Sequence, residues 1–351
     1  MRVTQDASLS TANSTVITMP LSSKCLKELE ARCNRVKQIF DRCTQNPSST
    51  LLFLRSIIQV SLSTWEVGAP QPTLNYSVLV DPSFVSLRNP FSEKKWRKFQ
   101  ISRTFASTSA AMKMQAIDVH VIESGCSYID KWFVSLCLGS GQTRNMALDR
   151  RYLAYNLTPV AGVAAHIARN GVSSNIHPSS CLLSPLPLSG SISMPVTTLG
   201  HFLVRHSGGR YIFGNTHDSE LKKDRDSLVE AWNKELMLCV RDSYVEMVLE
   251  FQKLKKDPLS SAIETRSAES VSAILQTYGD RVYSFWPRSK QHPTSFTGHD
   301  STVTNLNSPR ATKADWQSLV EQVIRPFYLR LADLPVWQLY RGNLVKVDEV
   351  G

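Results

Sequence analysis

The strongest pattern in the sequence is a run of apolar residues at three-to-four spacing between residues 229 and 254. Its members are Val229, Trp232, Leu236, Val240, Tyr244, Met247, Phe251 and Leu254. This spacing places the side chains on one side of an α-helix. Ser227 and Glu230 have the spacing of a capping box at its start, and Pro258 follows its end. The pattern therefore predicts one long amphipathic helix that must pack against a large apolar surface.

That surface is predicted upstream, where short alternating or β-branched runs indicate strands. The runs cover residues 60–67, 76–81, 117–124, 130–141, 161–168 and 181–188. A further alternating run, His201 to Arg205, is followed by a Gly208-Gly209 turn that is typical of a hairpin. The sequence thus predicts a sheet in the N-terminal half of the chain.

Three shorter helices are predicted around these elements. One lies between Ser22 and Asn46, a second covers about 267–279, and a third begins near Asp315 with Pro326 expected to kink or end it. A chain of 351 residues that is 42% hydrophobic can bury a sizeable core. We therefore expect an α+β fold, with a mixed β-sheet and flanking helices first and a predominantly helical half after it.

Composition shifts along the chain suggest four segments. We expect a loose segment at 1–20, an α/β segment at 21–215, a helical segment at 216–335 and an extended tail at 336–351. No apolar run reaches the roughly 18 residues that a membrane span needs, and the first residues lack the apolar core of a signal peptide. We therefore expect no membrane partner and a cytoplasmic or nuclear location.

The formal net charge of +10 permits contact with nucleic acid through a general electrostatic attraction. The densest basic cluster is Lys94, Lys95, Arg97 and Lys98 around Trp96. No nucleic-acid-binding motif accompanies this cluster, so a solvated surface is the favoured interpretation and a nucleic-acid-binding module is an alternative. The seven cysteines are odd in number and contain no CxxC pair, which argues against a disulfide framework or a zinc site.

No established catalytic motif is present. Walker A, HExxH, GxSxG and EF-hand patterns are all missing from the sequence. The turn from Gly139 to Arg144 is rich in glycine and follows a predicted strand, but a plain strand exit explains it better than a phosphate site. His201, His206, His217 and Asp218 could in principle share a metal, which leaves a metal-dependent enzyme as a second alternative. We expect no catalytic residue, no metal and no cofactor in this chain.

The region from 181 to 254 resembles the repeated region of the sacsin-like co-chaperones. There, a Leu-Pro-Leu turn leads into a Gly-containing pair of elements, and a Trp-Asn-x-x-Leu helix with a later Tyr follows. The matching residues are Leu186, Pro187, Leu188, Gly200, Phe202, Trp232, Asn233, Leu236 and Tyr244. The similarity extends to residues 49–66, 89–103, 130–141 and 323–337, so it covers most of the chain.

The resemblance implies that this chain lies downstream of a GHKL-type ATP-binding lobe, related to that of the ninety-kilodalton heat-shock protein. The Asp-x-Gly-x-Gly turn of that lobe is not found here, so we expect a fragment without a complete ATP site. The expected function is non-catalytic: coupling the missing upstream lobe to client or interdomain contacts, with unfolded clients and chaperone machinery as partners. Within this interpretation Arg144 is a candidate for sensing the terminal phosphate.

Overall fold

The computed structural model describes only part of the chain. The described residues are 2–3, 17–18, 47–54, 57–65, 68–81, 111–123, 125–170, 181–184, 186–191, 194–203, 223–256, 268–277, 281–287, 320–332, 337–338 and 344–345. The helix predicted between Ser22 and Asn46 lies outside them, as do the predicted segment boundaries near residues 20, 215 and 335. The chain divides into two compact units, Met1–Pro47 and Ser48–Gly351. In the first unit, strand β1 (Arg2–Val3) pairs antiparallel with β2 (Ile17–Thr18).

The second unit is built on a sheet of eight described strands in the order β3-β4-β5-β6-β7-β10-β8-β9. Neighbouring strands run antiparallel except β10 and β8, which are parallel. The strands are β3 (Gln59–Thr64), β4 (Thr73–Val80), β5 (Ala111–Glu123), β6 (Cys126–Leu138), β7 (Val160–Arg169), β8 (Cys181–Ser184), β9 (Leu186–Ser191) and β10 (Thr197–Gly200). A separate pair joins β11 (Trp337–Gln338) to β12 (Leu344–Val345).

The centre of the sheet is the long hairpin of β5 and β6. Both strands have 13 residues, and their pairing runs from Ala111 opposite Leu138 to Glu123 opposite Cys126. Gly125 forms the turn with a φ of +79°, a conformation that glycine adopts without strain. Because successive side chains of a strand point to opposite faces, the central strands supply two separate cores.

One core lies between the sheet and the long helix α3 (Lys223–Lys256). Every apolar residue of the predicted stripe from Val229 to Leu254 is buried, which confirms the predicted helix face. The stripe packs on inward-facing residues of β6 and β7 such as Phe133, Val163 and Ala165. The helix begins at Lys223, one turn before Ser227, so the predicted capping box is wrong.

The second core lies on the opposite face of the sheet. It contains Trp132, Val134 and Leu136 from β6. It also contains residues 51–53, at and just after the end of the short helix α1 (Pro47–Leu51). Buried residues of β4 complete it, namely Tyr76, Val78 and Val80. The sheet is therefore covered on both faces across its central strands.

The remaining described helices gather around α3. They are α2 (Gly141–Leu148), α4 (Ala268–Thr277), α5 (Arg281–Ser284) and α6 (Arg325–Ala332). A 3₁₀ turn at Arg150–Tyr155 follows α2, and a π-helical turn at Val320–Ile324 leads directly into α6. Pro326 is the second residue of α6, and the helix continues beyond it to Ala332, so the helix does not end at this proline. The part of the predicted helix from Asp315 to residue 319 lies outside the described residues.

The α+β fold class is confirmed, since the sheet comes first in the chain and helices α3 to α6 follow it. The sequence predicts a strand that ends in the alternating run from His201. In the structure, strand β10 already ends at Gly200 and residues 201–203 are irregular, so the strand ends earlier than predicted. Among the described helices, none combines the length and the apolar character that crossing a lipid bilayer requires.

The close packing of β6 against β7 can be tested by a substitution at Gly162. A Cβ atom at this position would lie 2.2 Å from the backbone oxygen of Ser135, which cannot move without disturbing the ladder. We predict that Gly162→Ala lowers the free energy of unfolding by about 2 kcal/mol. Denaturant titration of this variant and of the control Ser63→Ala, on the exposed side of β3, checks the prediction. Equal stability of the two variants would contradict it.

Candidate functional site

Helix α3 is fixed to the end of strand β10 by two neighbouring side chains. The Trp232 indole Nε1 donates to the His201 carbonyl at 3.0 Å. Asn233 Oδ1 accepts from the Leu203 amide, and its Nδ2 donates to the Leu203 carbonyl, both at 2.9 Å. Both side chains are buried, and these bonds satisfy backbone groups of His201 and Leu203, which follow the end of β10 at Gly200. We call Trp232, Asn233 and residues 201–203 the motif clamp.

Other residues of the family motif support the same junction. Gly200 leaves room for the Phe202 ring, since a Cβ atom there would lie 2.4 Å from it. Leu236 is fully buried in the core under α3, one turn beyond the clamp. The Tyr244 hydroxyl, two turns further on, donates to the Phe285 carbonyl just after α5. The structure therefore places four of the nine motif residues on α3 and two more, Gly200 and Phe202, beside it at the end of β10.

The Leu-Pro-Leu part of the motif lies elsewhere, on strand β9. Leu186 pairs with Ser184, and Pro187 pairs with Leu183, across the antiparallel turn between β8 and β9. Leu188 follows on the same strand. Strand β9 is the outermost described strand at this end of the sheet, where a proline is tolerated because one side of the strand has no ladder partner.

Arg144 lies where β6, α2 and α3 meet. Only 5% of it is exposed, and its Nε donates to the Gly139 carbonyl at 3.0 Å. The sequence predicts that Arg144 lies on a Gly-rich turn, and in the structure it lies in the first turn of α2. Burial lowers the pKa of the guanidinium, while two neighbouring thiols oppose this effect.

Those thiols belong to Cys137 on β6 and Cys239 on α3, and both are buried and free. Thr143 Oγ1 lies 3.8 Å from Cys239 Sγ. Gly139 is required beside them, because a Cβ atom there would lie 2.8 Å from the same sulfur. We call these five residues, Cys137, Gly139, Thr143, Arg144 and Cys239, the thiol corner.

The two thiols of this corner differ in acidity. The pKa of Cys239 is lowered because its sulfur accepts a hydrogen bond from Cys137, although burial opposes this, and the Thr143 hydroxyl contributes further. The pKa of Cys137 is raised because it donates its proton to Cys239 and because it is buried. One sulfur therefore holds the negative charge more readily, and its neighbour holds the proton.

A second polar group is buried on the opposite face of the sheet. Asp130 accepts two hydrogen bonds from Arg169, at 2.8 and 3.1 Å, and its Oδ1 lies 3.1 Å from His166 Nε2. Ser48 Oγ accepts from Trp132 Nε1 at 3.1 Å, and the Ser48 side chain contributes to lowering the pKa of this carboxylate. Burial alone would raise the pKa of Asp130, but these hydrogen bonds from His166, Arg169 and Ser48 hold it below its usual value. We call Asp130, His166, Arg169 and Ser48 the carboxylate cluster.

The carboxylate cluster continues toward the surface through Arg169. Its guanidinium lies 3.9 Å from the centre of the Tyr128 ring. The Tyr128 hydroxyl donates to Glu123 at 3.2 Å. Burial raises the pKa of Tyr128 to about 12, although the Arg169 charge opposes this. The arrangement ties the hairpin end of β5 and β6 to the end of β7.

The other predicted sites fall largely outside the described residues. This holds for the basic cluster at 94–98 and for His206, His217 and Asp218. His201 is described, and its backbone carbonyl accepts the Trp232 bond in the motif clamp. Within the part of the chain that the structure describes, no three His, Cys, Asp or Glu side chains come together as metal ligands.

Sequence reasoning missed both buried polar groups. Cys137 and Cys239 are 102 residues apart, and only the packing of α3 across β6 brings them together. Asp130 and Arg169 are direct partners in the β6–β7 register. The sequence has an acidic residue at the start of one apolar run and a basic residue at the end of the next. This pattern could have suggested that the two side chains form an ion pair. No comparable signal exists for the thiols.

No protein-family model, curated protein sequence or solved structure matches this chain. The fold and the geometry above are therefore the physical basis for any functional conclusion.

Asn233 provides a direct test of the motif clamp. Asn233→Ala removes two hydrogen bonds and leaves the Leu203 backbone groups without their partner, which should lower the free energy of unfolding by about 3 kcal/mol. Lys234→Ala, one residue along and exposed, should change it by less than about 0.5 kcal/mol. Denaturant unfolding followed by tryptophan fluorescence measures both. A mild effect of Asn233→Ala would show that the clamp contributes little.

Asp130 gives the stability of the protein a defined dependence on pH. Because its pKa is lowered in the folded state, the carboxylate stabilises the fold above its unfolded pKa of about 3.9. This contribution is lost as the pH falls through the folded pKa. Asp130→Asn should cost about 3 kcal/mol at pH 7 and should flatten the acid limb of the stability curve.

The matched control is Asp118→Asn, which breaks the more exposed pair with Lys131 and should cost less than about 1 kcal/mol. Urea titrations from pH 7 to pH 3 compare the two variants with the parent chain. An acid limb that is unchanged in Asp130→Asn would contradict the assignment.

Proposed function

We propose that this chain is a non-catalytic part of a sacsin-like molecular chaperone or co-chaperone. In this proposal it couples the GHKL-type ATP-binding lobe of the parent protein to client or interdomain contacts in protein folding and quality control. It needs no cofactor of its own and works in the cytoplasm or the nucleus. The basis is the resemblance of the sequence, together with the structural position of the resembling residues.

The observation that carries the proposal is the placement of the Trp-Asn-x-x-Leu helix and its later tyrosine. Trp232 and Asn233 hold one part of α3 to the end of β10, and Tyr244 bonds to the residue after α5. The same helix therefore contacts the sheet and the helical elements. A rigid helix that is anchored at both places is suited to pass a displacement from one to the other.

Client contact needs exposed apolar surface, and the edge strand β3 offers it. Ile58 precedes this strand, Val60 lies on it and Trp65 follows it, and all are exposed, Trp65 to 69%. Leu74, paired with Ser63 across the β3–β4 ladder, adds to the same region. Exposed apolar groups at a sheet edge are suited to hold extended, unfolded polypeptide. We propose this edge as the client surface.

The phosphate-sensing role of Arg144 stays a prediction for the parent protein. In this structure the guanidinium is buried and bonded to the Gly139 carbonyl. Contact with a nucleotide would require α2 to move away from that carbonyl. The coupling proposed here uses α3 and makes no demand on Arg144.

The test is suppression of client aggregation. Heat-denatured citrate synthase is mixed with an equimolar amount of the chain, and light scattering is followed with and without ATP. We expect at least a twofold reduction in scattering that ATP does not change. No reduction, or a reduction that appears only with ATP, would contradict a non-catalytic chaperone segment.

Two variants locate the client surface within the same assay. Trp65→Ser should remove at least half of the suppression, because it deletes the largest exposed apolar side chain at the β3 edge. Leu329→Ser changes a comparably exposed apolar residue on α6 and should leave the suppression unchanged. Equal loss in both variants would place the contact elsewhere while leaving the chaperone proposal in place.

A further inference from the structure

The two outermost strands of the described sheet differ in how they are protected. Natural edge strands commonly carry proline or charged residues, which prevent pairing with a further strand. At one edge, β9 carries Pro187, whereas residues 57–65 around β3 at the other edge contain no proline and no charged residue. Five of the ten exposed large apolar side chains in the described part of the chain lie between residues 57 and 74. The β3 edge is therefore the one that is open to another strand.

The ladder between β3 and β4 determines which backbone groups of β3 face outward. The Val80 amide donates to the carbonyl of Ile58, which lies opposite it, at 2.9 Å, and the register continues from there along β3. In an antiparallel ladder, residues that bond to the neighbouring strand alternate with residues whose N–H and C=O groups point away from it. The backbone groups of Gln59, Ser61 and Ser63 therefore point to the open side of β3.

Side-chain hydrogen bonds hold this edge in one conformation. Gln59 Nε2 donates to Ser77 Oγ at 3.2 Å, and Ser61 Oγ lies 3.0 Å from the same oxygen. Trp65 is 69% exposed, yet its Nε1 donates to the Ala69 carbonyl at 3.0 Å, which fixes the indole at the end of the strand. An edge that is already ordered loses little conformational entropy when it pairs with a partner.

The open side of β3 is complementary to itself about Ser61. Ile57 and Trp65 lie at equal distances along the chain on either side of this residue, and both are exposed. A twofold axis through Ser61 therefore brings Trp65 of one copy opposite Ile57 of the other. On the opposite face of the strand, the same axis pairs Val60 with Leu62 at the closer spacing of a non-hydrogen-bonded pair.

We propose that a second copy of this chain binds the β3 edge, with the two β3 strands antiparallel about a twofold axis at Ser61. The backbone groups of Gln59, Ser61 and Ser63 form the hydrogen bonds across the axis, so that the sheets of both copies become continuous. A twofold axis places residues near their own copies, and the uncharged segment 57–65 causes no repulsion there.

The size of the contact sets the expected strength of the dimer. A contact built on one strand of six residues lies at the lower end of specific interfaces, which begin at about 1,200 Å² of total buried surface, so we expect a dissociation constant of about 10 μM. The inference does not rest on the proposed chaperone function, because it follows from the β3 edge alone. Where both hold, the dimer covers the client surface, and a client competes with the second copy for it.

The test is analytical ultracentrifugation of the full chain together with charge variants at the axis. Between about 1 and about 100 μM we expect the mean mass to rise from that of a monomer to that of a dimer. Ser61→Lys and Ser61→Glu each place like charges at the axis and should weaken the dimer about tenfold or more, whereas an equimolar mixture of the two should restore it. The control Leu153→Lys adds a charge at an exposed position on the 3₁₀ turn and should leave dimerisation unchanged.

Hydrogen exchange of the unsubstituted chain gives a second measurement that needs no variant to fold. Peptides covering residues 57–65 should exchange more slowly at about 100 μM than at about 1 μM, while peptides from β7 should exchange equally at both concentrations.

Three results would overturn the proposal: a chain that stays monomeric at the higher concentration, a dimer that Ser61→Lys leaves intact, or exchange at 57–65 that does not depend on concentration. A monomeric chain that still suppresses client aggregation would overturn the dimer and leave the chaperone proposal in place. A dimer that responds to the charge variants but suppresses no aggregation would support the dimer and contradict the chaperone proposal.

Discussion

The burial of one face of α3 on the inner face of β6 and β7 is the interaction on which the rest of this structure depends. The helix presents aromatic and aliphatic side chains over more than seven turns, and Trp232, Tyr244 and Phe251 are fully removed from solvent. Burying each such side chain contributes about 2 kcal/mol. The shorter helices α4 and α6 share the same core with α3, so their position follows from it. The motif clamp and the thiol corner also lie on this helix and on the strands beside it.

Apolar burial alone does not fix where a helix lies along a sheet, because it has little directional preference. The polar bonds inside this contact supply the register. Ser243 donates to the Ser135 carbonyl at 2.7 Å near the centre, while Trp232 and Asn233 satisfy residues 201–203 toward the N-terminal end. A shift by one turn would leave these buried groups without partners, at a cost comparable to the apolar gain. The same registration places Cys239 beside Gly139 and Thr143, so the thiol corner follows from the way in which α3 is fixed.

The sequence predicted the parts of this fold that depend on local periodicity. The face of α3 was predicted residue by residue from Val229 to Leu254, and the alternation in β5 and β6 indicated the central hairpin. The ends of the elements were less predictable. Helix α3 begins before Ser227, because the capping pattern competes with an earlier helical turn. Strand β10 ends at Gly200, because Asn233 of the motif clamp hydrogen-bonds the backbone of Leu203. The contacts of Cys137 with Cys239 depend on packing between elements about 100 residues apart, and no local pattern encodes such a contact. The sacsin-like function rests on motif order and stays a proposal.

Native-state hydrogen exchange followed by mass spectrometry tests most directly whether α3 and the sheet form one cooperative unit. Peptides from residues 232–251 and from β7, residues 160–169, are compared in the same sample over a series of urea concentrations. If α3 is an integral part of the sheet core, both sets of amides exchange with the same free energy of opening, equal to that of global unfolding. Exchange of the α3 amides through a separate opening, several kcal/mol easier than that of β7, would show that the helix is an accessory to the sheet and would contradict this account.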